Sequence, residues 1–266
     1  MKRLLIIVLG IFIFLLLTVI TQIGGFVYIL SIIVCRWWKR EFRFKRLLIF
    51  LLFYVIFTLV IVPVIAPIFG RERIQNSDKI KPSNFGTVLL NRNYVKPELN
   101  LLLSKTSKRL RNTEIEIHYL DANFPFLDRF PLLPHLSHND GKKLDISLIY
   151  ESKNAEISNK QKSFSGYGNF EHPKAKEHNQ IRTCLSSGYY QYDYPKYLTL
   201  GKINEDLKFS EKGTAILIKK LLASDNLGKL FIEPHLKERM KLNHSKIRYH
   251  GCRAVRHDDH IHIQLK

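Results

Sequence analysis

Two long apolar stretches dominate the start of the chain. Leu4 to Cys35 has few polar breaks, among them Thr18, Thr21, Gln22 and Ser31, with a glycine pair at Gly24-Gly25. Leu47 to Gly70 is the second, with Pro63 and Pro67 near its end. Each exceeds the roughly 20 residues that cross a bilayer as a helix. The first lacks a clean small-residue cleavage site, which argues against a removed signal peptide. As one helix it would reach some 48 Å, at about 1.5 Å per residue; the alternative is a hairpin bent at Gly24-Gly25. Between the stretches, Arg36 to Arg46 carries six basic residues and one acid among Trp37, Trp38, Phe42 and Phe44. Basic loops stay in the cytoplasm, so the second helix is expected to leave everything after Gly70 outside it, in the periplasm or the extracellular space. Residues 1–70 thus read as a membrane anchor with segments 4–35 and 47–70.

Beyond Gly70 the pattern changes to mixed polar and apolar. Residues 71–97, polar and containing Pro82 and Pro97, read as a tether to a domain spanning 98–266. Leu99–Leu110 has helical spacing and a basic end, suited to a helix C-terminus. Glu114–Leu120 alternates strictly, as a strand does. Phe124–Pro134 reads as a loop and Leu144–Tyr150 as a second strand. Residues 151–180 show no periodicity and form a long loop or insertion. Tyr189–Tyr194 is an aromatic patch, either a half-buried strand or the lining of a groove. Ser210 caps a helix over Thr214–Ala223 that Gly228 stops. A strand at Leu230–Ile232 and a helix at Pro234–Leu242 follow. Ile247–Tyr249 and His260–Leu265 are expected to pair as closing strands. Helices and strands do not alternate regularly, which predicts an α+β fold with a small, mostly antiparallel sheet and flanking helices.

Composition sharpens this in one respect. The formal charge is +19, yet only eight of the 42 Lys and Arg and one of the 23 acids fall in the first 70 residues. The soluble part is therefore basic in its own right and favours anionic surroundings such as lipid headgroups or wall polymers. No nucleic-acid-binding module accompanies the charge, so nucleic acid is not an expected partner; oligomeric state is left open. Of three cysteines, Cys35 lies at a membrane edge. Cys184 and Cys252 either pair in an oxidising compartment or remain unpaired core residues.

The chemistry-bearing residues cluster in two places. His257-Asp258-Asp259-His260-Ile261-His262, read as a strand, turns His260 and His262 to one face. Upstream, His138 and Asp145 are separated by six residues, with Gly141 able to turn the chain between them. A catalytic zinc takes three protein ligands of His and carboxylate type and leaves one position for water. His138, Asp145 and His262 supply such a set, with His260 close by as a base. Asp259 is a rival base, and Asp140 and Asp258 read as solvent-facing. His118, His172, His178, His235, His244 and His250 show no partner pattern.

His138-x-x-Gly141-x-x-x-Asp145 followed by His260-x-His262 resembles the LAS metallopeptidases, the group that includes lysostaphin and the D-Ala-D-Ala carboxypeptidases. The six-residue spacer favours the carboxypeptidase and murein-endopeptidase branches. The patterns His257-x-x-His260-x-His262 and His135-x-x-His138 are most similar to the penicillin-insensitive murein endopeptidase. The carboxypeptidases place a Glu where this chain has Asp259. The resemblance covers roughly residues 130–150 and 250–266. It implies Zn2+ held by His138, Asp145 and His262, and His260, with His257, as base and transition-state stabiliser. It further implies a hydrolase cleaving peptide bonds of cell-wall peptidoglycan; the membrane anchor and the basic, aromatic middle of this chain depart from the family pattern. Alternatives are the same zinc hydrolysis on a protein or peptide, and a non-catalytic zinc-containing binding module.

Overall fold

The fold is given by a computed structural model that describes residues 1–197 and 200–266. The amino-terminal part is helical. α1 (Lys2–Thr21) and α2 (Gly24–Trp37) are joined at Gln22–Ile23, where Gln22 adopts a φ of 65°. The long first apolar run is therefore two helices. A Cβ on Gly25 would lie 2.0 Å from Thr18 Oγ1, so the two helices meet through glycine. α3 (Lys45–Ile56) continues through a π turn at Phe57–Ile61 into α4 (Val62–Ile65) and a 3-10 turn at Ala66–Phe69. Lys2–Thr21 and Lys45–Phe69 are both long and apolar enough to cross a membrane.

The remaining elements follow as β1 (Glu72–Arg73), β2 (Ile80–Pro82), α5 (Phe85–Leu89), β3 (Tyr94–Val95), α6 (Pro97–Leu110), β4 (Ile117–Tyr119), β5 (Lys143–Ser147), β6 (Tyr150–Glu151) and β7 (Ile157–Ser158). Then come α7 (Gln180–Ser186), a 3-10 helix at Tyr190–Tyr197, β8 (Lys208–Phe209), α8 (Glu211–Leu222), β9 (Leu227–Phe231), α9 (Pro234–Arg239), β10 (Ile247–Arg248) and β11 (His260–Leu265). The fold class is α+β with mixed sheets. Residues 71–97 hold short regular elements along their length, β1 to β3 and α5.

The chain packs as two compact units. One comprises Met1–Ile74, Gly86–Pro97 and Ala122–Gly141. Its core joins Ile23, Val27, Val62, Ala66 and Tyr94, with Phe50, Phe53, Tyr54, Phe57 and Phe126 against them. Arg71, fully buried there, donates to Phe124 O and Asp128. The other comprises Gln75–Phe85, Glu98–Asp121 and Lys142–Lys266. It is built on a sheet of order β10-β9-β11-β5-β4-β2, beside a three-stranded sheet β7-β6-β8.

The central strand β11 owes its place to strict alternation. Ile261, Ile263 and Leu265 fill one face and are buried, while His260, His262 and Gln264 take the other. β5 carries the complementary pattern, with Leu144 and Ile146 on the apolar face. β11 pairs antiparallel with both β5 and β9. The outer pairs β10–β9 and β4–β2 are parallel.

Three local expectations are corrected. β10 and β11 are not neighbours, because β10 pairs with β9, which lies between them. Gly228 does not end a helix: α8 stops at Leu222, and Gly228 sits within β9. A Cβ there would come 2.8 Å from Leu265 O, so glycine permits close approach of the two strands. Tyr190–Tyr197 is a 3-10 helix in place of a strand. Pro195, which lacks a ladder donor, lies inside it, and Tyr192 is turned into the interior.

Candidate metal centre

The β5–β11 register builds the site. Pairing sets His262 opposite Asp145 and His260 opposite Ser147, and directly opposed side chains share a face. Asp145 therefore meets His262 head on and His260 on the diagonal. Its Oδ1 lies 2.8 Å from His262 Nδ1 and 3.6 Å from His260 Nε2. Its Oδ2 accepts from the Tyr167 hydroxyl at 2.8 Å. The Asp145 main chain is held on the neighbouring segment, donating to Asp121 O and accepting from Leu120 N. All three side chains are almost fully buried. An acid and an imidazole this close share either a proton or a cation, and the donor types fit a divalent metal.

His260 is gripped at its other nitrogen. Its Nδ1 lies 2.5 Å from Asp259 Oδ1, and Asp259 Oδ2 accepts from the Gly168 N–H at 2.7 Å. Tyr167 stands edge-on to the His260 ring at 5.1 Å. His257 extends the group, its ring 4.9 Å from His260 and 5.9 Å from His262. Its Nδ1 lies 2.7 Å from Val255 O, and its N–H donates to Glu233 Oε1. Tyr192 donates its hydroxyl to the same Glu233 carboxylate.

The electrostatics separate the two imidazoles. Burial opposes protonation of His260, but the carboxylates of Asp145 and Asp259 outweigh it and raise the group to about 9. Burial, reinforced by His260, His250 and His262, holds His257 well below the ordinary histidine range. Glu233 is pushed up to about 7 by burial, against the bonds from Tyr192 and the His257 N–H.

Asp145, His257, His260 and His262 thus come together within one unit. His138 and His135 belong to the other, with rings 5.6 Å apart and His138 Nδ1 2.7 Å from Ala122 O. Gly141, the turn between His138 and Asp145, has a φ of 76°. Asp258 is not solvent-facing. It is fully buried and takes two bonds from Arg256, which also pairs with Asp193 and lies over the Phe170 ring. Cys184 and Cys252 form a disulfide, with Cα atoms 5.2 Å apart.

Sequence reasoning missed two contributors. Tyr167 and Gly168 come from the aperiodic 151–180 stretch. The available signal is Gly166-Tyr167-Gly168, glycines flanking an aromatic. Gly166 has a φ of 83°, and a Cβ there would lie 2.2 Å from Leu120 Cδ2, which marks close backbone approach. His250, left without a role, stacks on Phe231 at 3.7 Å and on His257 at 4.4 Å. The protein carries His and Asp groups that can hold a metal ion. No protein-family model and no curated protein matches the chain.

Proposed function

We propose that the protein is a membrane-anchored, zinc-dependent peptidase that hydrolyses peptide bonds of cell-wall peptidoglycan outside the cytoplasm. The observation that carries this reading is the buried juxtaposition of Asp145 with His262 and, diagonally, His260 across the β5–β11 register. The proposed ligands are those that the resemblance to the LAS metallopeptidases implies, His138, Asp145 and His262. A zinc ion bound by such a set supplies Lewis acidity and an acidified water.

The chain's own residues do the rest. Tyr167 fixes the Asp145 carboxylate and the Asp121 main chain its backbone, as ligands generally require of their surroundings. Asp259 bonds His260 Nδ1 and so directs Nε2 to the Asp145 side. From there His260 is placed to take up or hold a proton at Nε2. Glu233 anchors the backbone of His257, and His257 stands behind His260 as a second proton-handling imidazole. The basic soluble part suits an anionic wall polymer. Two apolar helices, the basic Arg36–Arg46 loop and a disulfide together favour an extracytoplasmic domain.

Incubating the full chain in mild detergent with purified peptidoglycan, with and without a chelator, tests this reading. Release of new peptide fragments, abolished by chelator and restored by zinc, is the expected result. Zinc binding without any cleavage would refute catalysis and leave a binding module, and cleavage of unrelated peptides only would refute the substrate.

A further inference from the structure

His250, His257 and His262 each bring one ring nitrogen within 4.8 Å of the other two. All three lie in the same compact unit. The hydrogen bonds around them fix which nitrogen is which. Val255 O, 2.7 Å from His257 Nδ1, can only accept, so that nitrogen carries the proton and Nε2 presents the lone pair. Asp145 Oδ1 does the same for His262 at Nδ1, again leaving the lone pair on Nε2. An imidazole whose far nitrogen is tied to a carboxylate or a carbonyl is the usual state of a metal-bound histidine.

The frame around the trio is equally built. Phe231 stacks on His250 and stands 5.6 Å from the His262 ring. Glu233 takes the His257 N–H, and the Cys184–Cys252 bond ties down the chain two residues after His250. His257 and His262 are buried, whereas His250 is partly exposed and provides access from solvent. We propose that His250, His257 and His262 form a three-histidine site for a divalent first-row transition metal, zinc, copper or nickel being the ions that imidazole donors suit. Three protein nitrogens leave a coordination position open. Here Asp145 orients a ligand. In the peptidase reading it is itself one, and His262 serves the two sites through opposite ring nitrogens; a metal-bound His257 leaves the proton-handling role of that reading to His260 alone. The assignment stands independently of that reading.

The test uses the full chain in detergent, stripped of metal and equilibrated with zinc alone. Elemental analysis gives the content, and competition with a chelating dye gives the affinity. His250→Phe keeps a ring for stacking but removes the donor, and His250→Ala is the second variant should the first misfold. We expect either one, if folded by circular dichroism, to lose about one zinc per chain or to bind it at least about tenfold more weakly, since even outer partners of ligands are worth 10–100-fold. His138→Ala should leave this ion in place. Folded His250 variants that keep the full zinc content at unchanged affinity would overturn the three-histidine site. Zinc lost from His250→Phe but fully retained by His138→Ala would uphold it while removing the His138 ligand set of the peptidase reading.

Discussion

Replacing His260 by alanine separates chemistry from architecture. The side chain sits at the first position of β11, is 3% exposed, and makes its ring contacts to Asp259, Asp145 and Tyr167. The backbone pairing with Ser147 does not depend on it. Truncation breaks a buried ion pair with Asp259 and the approach to Asp145, a change worth about 3–5 kcal/mol. Asp259 retains the Gly168 N–H, and the loss stays below the middle of the roughly 5–15 kcal/mol of a typical domain. The variant should therefore fold and keep its zinc. If His260 handles the proton, the rate of peptide release should fall by about 10²–10⁴-fold, equivalent to about 2.7–5.4 kcal/mol of transition-state stabilisation. The assay is turnover on purified peptidoglycan at saturating substrate, run beside zinc content and circular dichroism. Zinc leaving with the side chain would make His260 a ligand and refute the role assigned to it. Activity within a few-fold of the parent would place the base elsewhere, with Asp259 and His257 the next candidates.

Three further outcomes are expected. Tyr167→Phe removes the hydroxyl that bonds Asp145 Oδ2 and receives the Asp121 N–H; zinc affinity or turnover should drop by about 10–100-fold, and unchanged zinc binding and rate would show that Asp145 is positioned without it. In the denatured, unreduced chain only Cys35 should react with a thiol reagent. Replacing Cys184 and Cys252 together by serine should destabilise the soluble part by about 4 kcal/mol, the loop-closure value for a separation of 68 residues; three reactive thiols before reduction would contradict the bond.

What was legible in the sequence is what depends on period and local spacing. The alternation of His260 to Leu265 gave a central strand with two histidines on one face, and the apolar runs gave helices of membrane-crossing length. Asp145 at the head of a strand was readable too, but its placement opposite His262 was not, because register is set by the whole sheet. A one-residue slip would turn the carboxylate to the apolar face. The fate of Asp258 was illegible for a similar reason: its burial depends on Arg256 and Asp193, 63 residues apart in the chain. His250 shows the limit most clearly. No spacing links it to His257, and it is held by stacking directly on His257 and on Phe231, which lies on a strand that pairs with β11. Tyr167 likewise reaches Asp145 from a stretch without periodicity, where side-chain direction follows from glycine-permitted turns. The His and Asp residues that regular strands carry were found by pattern, whereas the groups that hydrogen-bond to them came from loops and needed three dimensions. That division is physical, since a strand fixes the direction of every side chain by its period and a loop fixes only the one that packing selects.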